Sequence, residues 1–186
     1  METIQFYTTL GFQHVTDLNG LDHLYFIVAL SLPFGINDWK KLLWWVTLFT
    51  LGHSLSLIGN YYAGYEFSSY WIELFIPISI ALGCFPLLMQ KNLQANKFSS
   101  GLTFFFGLIH GLGFGRFFAM MVDSSAAVSS LFSFALGVEL AQLLIVLAVF
   151  LLNLLWYKKQ PYLKLWRLSL GGIIFLLALA MIVERI

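Results

Sequence analysis

The sequence predicts an all-α fold: a polytopic membrane bundle of six transmembrane helices in one domain spanning residues 1–186. Three observations lead there. First, 60% of the 186 residues are hydrophobic, 18% aromatic and only 10% charged, with a mean hydropathy of +0.84. A soluble domain is about 45–50% apolar and about 25% charged, so this chain lacks the polar residues to cover a water-facing surface. Second, the apolar residues fall into long runs, and a helix crossing a bilayer needs about 20 of them. Third, the basic residues sit in alternate connections. A soluble enzyme, a nucleic-acid binder and a disordered chain are excluded. The lone Cys84 excludes an intramolecular disulfide and a thiolate cluster.

Hydropathy places the spans near 21–37, 41–60, 70–90, 100–121, 127–156 and 163–183. Strands of a membrane barrel are about 9–11 residues long with polar alternation. These segments are longer and do not alternate, so they are helices. Residues 1–20 precede the first span. Within them, Thr3 to His14 mix aromatic and polar groups, as in an outer interfacial helix. The start has no basic region of the kind a cleaved leader carries. The fifth segment is long enough to tilt or to extend past the bilayer.

Orientation follows from the loops. Lys40, Lys41, Lys91, Lys97, Lys158, Lys159, Lys164 and Arg167 share one side. The opposite side holds residues 1–20, the 61–69 loop, the Asp123 turn and the C-terminus. By the positive-inside rule the lysine-rich side is cytoplasmic, so both termini face outward across a bacterial inner membrane. The tryptophans lie near span ends, as an aromatic belt requires.

The informative residues are those that a membrane disfavours. An ionisable group in a span costs about 2.5–3.5 kcal/mol on insertion scales and faces a bundle interior or water. Here these are Asp22, His23, His53, Glu73, His110, Arg116 and Glu139, with Asn60 and Gln142 as uncharged companions. At about 1.5 Å per helical residue, His53 lies about 18 Å and His110 about 16 Å above the inner ends of their spans, and Glu139 about 18 Å below its outer end. Asp22, His23 and Glu73 lie near the outer ends. The set forms a polar cavity open to the outside, floored by His110 and Glu139, with no ionisable group deep in the inner half. His14 reads as an interfacial residue that could also close over it.

Imidazole with carboxylate suits Ni, Zn, Co, Fe or Mn, whereas Cu(I) favours Cys and Met, which are scattered here. His23, His53, His110, Asp22 and Glu139 are therefore the expected metal ligands, supported by Glu73, Gln142 and His14. Plainer roles exist for single members. Asp22 could cap a helix, His53 could make an interhelix hydrogen bond, and Glu139 could pair with Arg116. Gly107, Gly111 and Gly115 form a small-residue stripe for close helix packing.

Five blocks resemble one family. Gly20-Leu-Asp22-His23-Leu-Tyr-Phe resembles the Gly-x-Asp-His-Leu-Leu-Phe signature of the HupE/UreJ family. Phe49-Thr-Leu-Gly-His53-Ser-Leu-Ser-Leu, Ile72-Glu73 with Ile78-Ser-Ile-Ala-Leu, Phe106-Gly-Leu-Ile-His110-Gly-Leu-Gly-Phe114 and Phe134-Ala-Leu-Gly-Val-Glu139-Leu-Ala-Gln142 are similar to its later segments, in the same order. Members are described as membrane proteins of hydrogenase and urease gene clusters and as nickel permeases. The resemblance therefore implies transition-metal binding and uptake, at Asp22, His23, His53, Glu73, His110, Glu139 and Gln142.

Two functions compete on this reading. One is a permease that collects a divalent transition metal from the outer side. The other is an intramembrane zinc-type hydrolase, with three histidines holding the metal and Asp22 or Glu139 as general base. A metal-free structural network is a third reading. The implied partners are a metal ion and the lipid bilayer, with a homo-oligomer compatible and nucleic acid excluded.

Overall fold

A computed structural model describes residues 2–18, 20–64, 67–89, 97–122 and 126–186. These residues form seven α-helices and one 3-10 turn, with no strand among them. The helices are α1 (Glu2–Thr16), α2 (Asp22–Ser31), α3 (Trp39–Ala63), α4 (Ser69–Leu88), α5 (Lys97–Met121), α6 (Ala127–Trp156) and α7 (Gln160–Glu184); the 3-10 turn is Ile36–Asp38. Lys91 and the Asp123 turn, used above for orientation, lie outside the described residues.

Four helices are long and apolar enough to cross a membrane: α3, α5 from Ser100 on, α6 and α7. Two shorter apolar helices, α2 and Ser69–Phe85 of α4, join them. The outer faces of α6 and α7 are studded with exposed Phe132, Leu144, Leu155, Leu176 and Val183. An apolar surface this continuous is covered by lipid in a helical membrane protein.

Local sequence explains the helix limits. Gly64 adopts φ 61° and ends α3, its N–H donating to the Asn60 carbonyl at 3.0 Å. The expected first span at 21–37 is not one helix. It stops at Ser31 because Pro33 and Gly35 follow. The Arg167 guanidinium then donates to the Pro33 and Phe34 carbonyls, at 3.4 and 2.8 Å. Pro77 sits inside α4 and has no N–H to give the Glu73 carbonyl one turn earlier. The Arg185 guanidinium donates to that carbonyl instead. Two arginines thus satisfy backbone oxygens that a bilayer would leave bare.

Packing is closest in two helix pairs. Built on Gly52, a Cβ would meet the Phe104 carbonyl oxygen of α5; on Gly107 it would meet that of Phe49, and on Gly111 that of His53. Gly115 lies against Asn60. The register advances together on both helices, so α3 and α5 run parallel with their backbones touching. The glycine stripe therefore serves packing, as its spacing predicts.

The pair of α1 and α6 is built the same way. Gly11 meets Phe134, and Gly137 meets Thr8. The Tyr7 hydroxyl donates to the Met121 carbonyl at the end of α5, at 2.8 Å. Two turns further along α1, His14 stacks near Phe114, with centroids 4.1 Å apart. α1 therefore runs opposite to α5 and enters the bundle, instead of lying apart from it as a surface helix would. α2 fills the centre, with His23, Phe26, Ile27, Ala29, Leu30 and Ser31 all buried. A helix buried on every side needs apolar residues all round, which this one has.

Replacement of Gly107 by alanine is expected to destabilise the protein by about 1–3 kcal/mol through overpacking. A Cβ at Gly59 meets nothing within 4 Å. There the same change should be neutral or stabilising, by up to about 1 kcal/mol from helix propensity. Thermal unfolding in detergent, followed by size-exclusion chromatography, compares the two; equal losses would refute the packing argument.

Candidate metal centre

The chain has four histidines, and the fold brings all of them to one place. His14 lies in the last turn of α1 and His23 in the first turn of α2. The break between these helices, residues 17–21, sets them beside each other. His53 comes from the middle of α3 and His110 from the middle of α5, in the parallel pair held by glycine. Ring centroids are 4.6 Å apart for His14 and His23, 5.5 Å for His14 and His53, 5.3 Å for His23 and His53, and 5.0 Å for His23 and His110.

One ligand atom from each of His14, His23 and His53 falls within a common 4.8 Å. Imidazole ligands about 2.0–2.1 Å from one ion lie at most about 4.2 Å apart, so the three side chains would draw slightly closer together to hold one. His110 adjoins the group through His23.

Hydrogen bonding decides which nitrogens are free. Asp22 Oδ1 lies 3.2 Å from His23 Nδ1 and also accepts the His23 backbone N–H at 2.9 Å. This carboxylate favours the tautomer that carries its proton on Nδ1, leaving the His23 Nε2 lone pair open. Such an outer carboxylate orients a ligating imidazole and raises its basicity. Asp22 is not the cap of α2; that position is Leu21, with no side-chain bond.

Ser79 supplies the counterpart on α4. Its hydroxyl hydrogen is given to the Ile76 carbonyl at 2.6 Å, so at 2.9 Å it accepts from His110 Nε2–H. The His110 Nδ1 lone pair is left open. His14 Nε2, His23 Nε2, both nitrogens of His53 and His110 Nδ1 are buried without a hydrogen-bond partner. A buried unpartnered polar atom is costly. A neutral His53 carries a proton on one of its two nitrogens, so the cluster offers up to four lone pairs to a cation.

The walls are aromatic. Phe134 stacks on His53 with centroids 6.2 Å apart, Phe49 lies 5.2 Å from His110, and Phe26 lies 5.2 Å from His110. His14 also borders an open cavity of about 680 Å³, whose polar lining is Gln13, Thr16 and Asp17.

The remaining expected residues lie elsewhere. Glu139 is held by Thr47 at 2.7 Å and Thr50 at 2.5 Å, at the seam of α3 and α6. It does not pair with Arg116, and it is not among the clustered ligands. Gln142 joins Thr50 at 3.2 Å. Glu73, Asn60 and Arg116 line a separate cavity of about 410 Å³ at the far ends of α3 and α5. His14, expected only as support, stands in the centre. Its sequence signal was weak because it lies among polar and aromatic residues outside the strongest apolar runs. Cys84 is buried in the core.

Asp22→Asn is expected to weaken metal binding by about 10–100-fold while keeping the site, as loss of an outer carboxylate does elsewhere. His14→Ala and His53→Ala should remove stoichiometric binding altogether. Calorimetric titration with Ni and Zn reads both effects. Unchanged affinity in Asp22→Asn would show that the carboxylate does not orient His23.

Set against curated proteins and solved structures, the chain has no match. One family model, described as HupE / UreJ protein, matches residues 1–185. The whole chain, with its histidine cluster and apolar helices, belongs to the HupE / UreJ family.

Proposed function

We propose that this protein is a permease for a divalent transition metal of the nickel type, drawing the ion from the outer side of a bacterial inner membrane. The observation that carries the reading is the convergence of four imidazoles, each with a buried nitrogen that lacks a hydrogen-bond partner, at the break between α1 and α2. Broken helices that meet at the depth of the bilayer build the ion sites of many transporters. The family suggests metal transport as well.

On this reading α1 and α2 share the first crossing, and α3 to α7 make five more, for six in all. Both termini then lie outside, in line with the lysine distribution. The polar cavity beside His14 is the mouth, with Gln13, Thr16 and Asp17 at its rim. His14 takes the ion first. His23 and His53 complete the coordination, and His110 is the next nitrogen inward of His23. All four act as neutral imidazoles, so acid that protonates them competes with the metal. Nitrogen ligands without thiolate suit Ni, Zn, Co or Fe, with Mn less favoured by an all-imidazole set.

The competing reading is an intramembrane metallohydrolase. It needs a carboxylate free to serve as general base beside the metal. Asp22 is occupied by His23, and Glu139 by two threonines. Transport is the better account.

Proteoliposomes loaded with a metal-sensitive dye should show Ni influx that His53→Ala and His110→Ala abolish. Metal bound at full stoichiometry with no influx would overturn the permease reading in favour of a resident metal.

A further inference from the structure

Away from the histidines, an apolar groove runs into a charged cavity where the C-terminal parts of α3 and α5 meet the N-terminal part of α4. The cavity is the one of about 410 Å³ that Glu73 and Arg116 line. The groove, of about 550 Å³, continues from it, and Asn60, Phe67, Ile72 and Leu112 line both. Gly59 of α3, Trp71 and Phe75 of α4, and Leu108 and Ile109 of α5 complete its walls. The surface it presents is almost entirely carbon. It reaches Phe105, about 16 Å along α5 from Arg116.

The two charges share one cavity without pairing. Glu73 and Arg116 are both exposed there, and among the described residues neither side chain belongs to an ion pair. Arg185 is engaged by the Glu73 backbone carbonyl, not by its carboxylate. The recess therefore offers one free cation, one free anion and an apolar slot in line with them. Its order, charged towards the helix ends and apolar towards the middle of the spans, is that of a lipid standing in a bilayer.

We propose that this recess binds one phosphatidylethanolamine molecule, with an acyl chain in the groove, the phosphate on Arg116 and the ammonium on Glu73. A guanidinium fork matches phosphate oxygens, and a primary ammonium carries three N–H donors for a carboxylate. The headgroup is zwitterionic, so each of its charges meets an opposite one. Phosphatidylglycerol lacks the cation and sets its net negative charge against Glu73. Phosphatidylcholine has the cation but no N–H to donate. The groove volume falls in the range of about 300–1,000 Å³ usual for ligand pockets. An acyl chain in it packs against Ser56, whose hydroxyl donates to the His53 carbonyl at 2.8 Å, and against Ile109 beside His110. The lipid thus braces the helix pair that carries two of the four histidines.

The test is titration of the full chain in detergent with phosphatidylethanolamine, phosphatidylglycerol and phosphatidylcholine of the same acyl chains, read by native mass spectrometry. One phosphatidylethanolamine per chain is expected, bound about tenfold more tightly than the other two, the scale of one hydrogen bond between charged groups. Arg116→Gln should weaken it about tenfold. Glu73→Gln should weaken it too and strengthen phosphatidylglycerol, so that the preference is lost or reversed; a purely structural role for Glu73 would not produce that exchange. Gly59→Leu should remove tight binding of any of the three, since a Cβ at Gly59 enters open space at the groove. Size-exclusion chromatography checks that each variant is folded. If Gly59→Leu is not, the two charge variants, at exposed positions, still decide. Equal binding of the three lipids to the unaltered protein, or an order of preference unmoved by Glu73→Gln, would overturn the proposal.

Discussion

Backbone contact between helices is the constraint on which the rest of this molecule depends. In lipid, apolar side chains gain little by meeting one another, so helices associate through close approach and van der Waals contact. Gly52, Gly107 and Gly111 let α3 and α5 touch, while Gly11 and Gly137 do the same for α1 and α6. Both contacts lie within a turn or so of a histidine. His53 follows Gly52, His110 precedes Gly111, and His14 comes three residues after Gly11. A Cβ at these glycines would push the helices apart and separate the imidazoles with them.

The break between α1 and α2 is the second element. A continuous helix would turn successive residues around its axis and could not aim His14 and His23 at one point across nine residues. Interrupting it lets two helix ends present imidazoles from opposite directions. The cost is a set of backbone groups without helical partners. Further down the chain the same difficulty is met by side chains, as Arg167 caps the carbonyls after α2 and Arg185 serves the oxygen that Pro77 leaves free. Irregular backbone at such depth survives only where something inside the protein satisfies it.

Polar chemistry is divided between two places. The histidines form a nitrogen centre walled by Phe26, Phe49, Phe114 and Phe134, oriented by Asp22 on one side and Ser79 on the other. Glu139, Gln142 and two threonines form a separate polar group at the seam of α3 and α6. Glu139 looks like a metal ligand in the sequence because its depth matches that of His110. Depth along a helix is legible from residue counts, but the direction a side chain faces is not, because an all-apolar helix has no polar face to fix its rotation. Thr47 and Thr50 carried no signal of their own, since threonine in a span is ordinary.

The sequence by itself determined the class: its apolar runs leave helices in a membrane as the only solution, and the family blocks between Gly20 and Gln142 agree with the family match. It also singled out His23, His53 and His110, because imidazoles in apolar runs are too costly to be incidental. Only the tertiary structure decided that His14 belongs with them. That outcome rests on α1 packing along α6 through Gly11, a contact between residues more than a hundred positions apart, and no local pattern encodes it. Tertiary structure likewise decided that Glu139 turns to the threonines and that Glu73 and Arg116 border a different cavity. Composition and periodicity report how much a residue costs in its surroundings; which partners offset that cost depends on how the helices are rotated and paired.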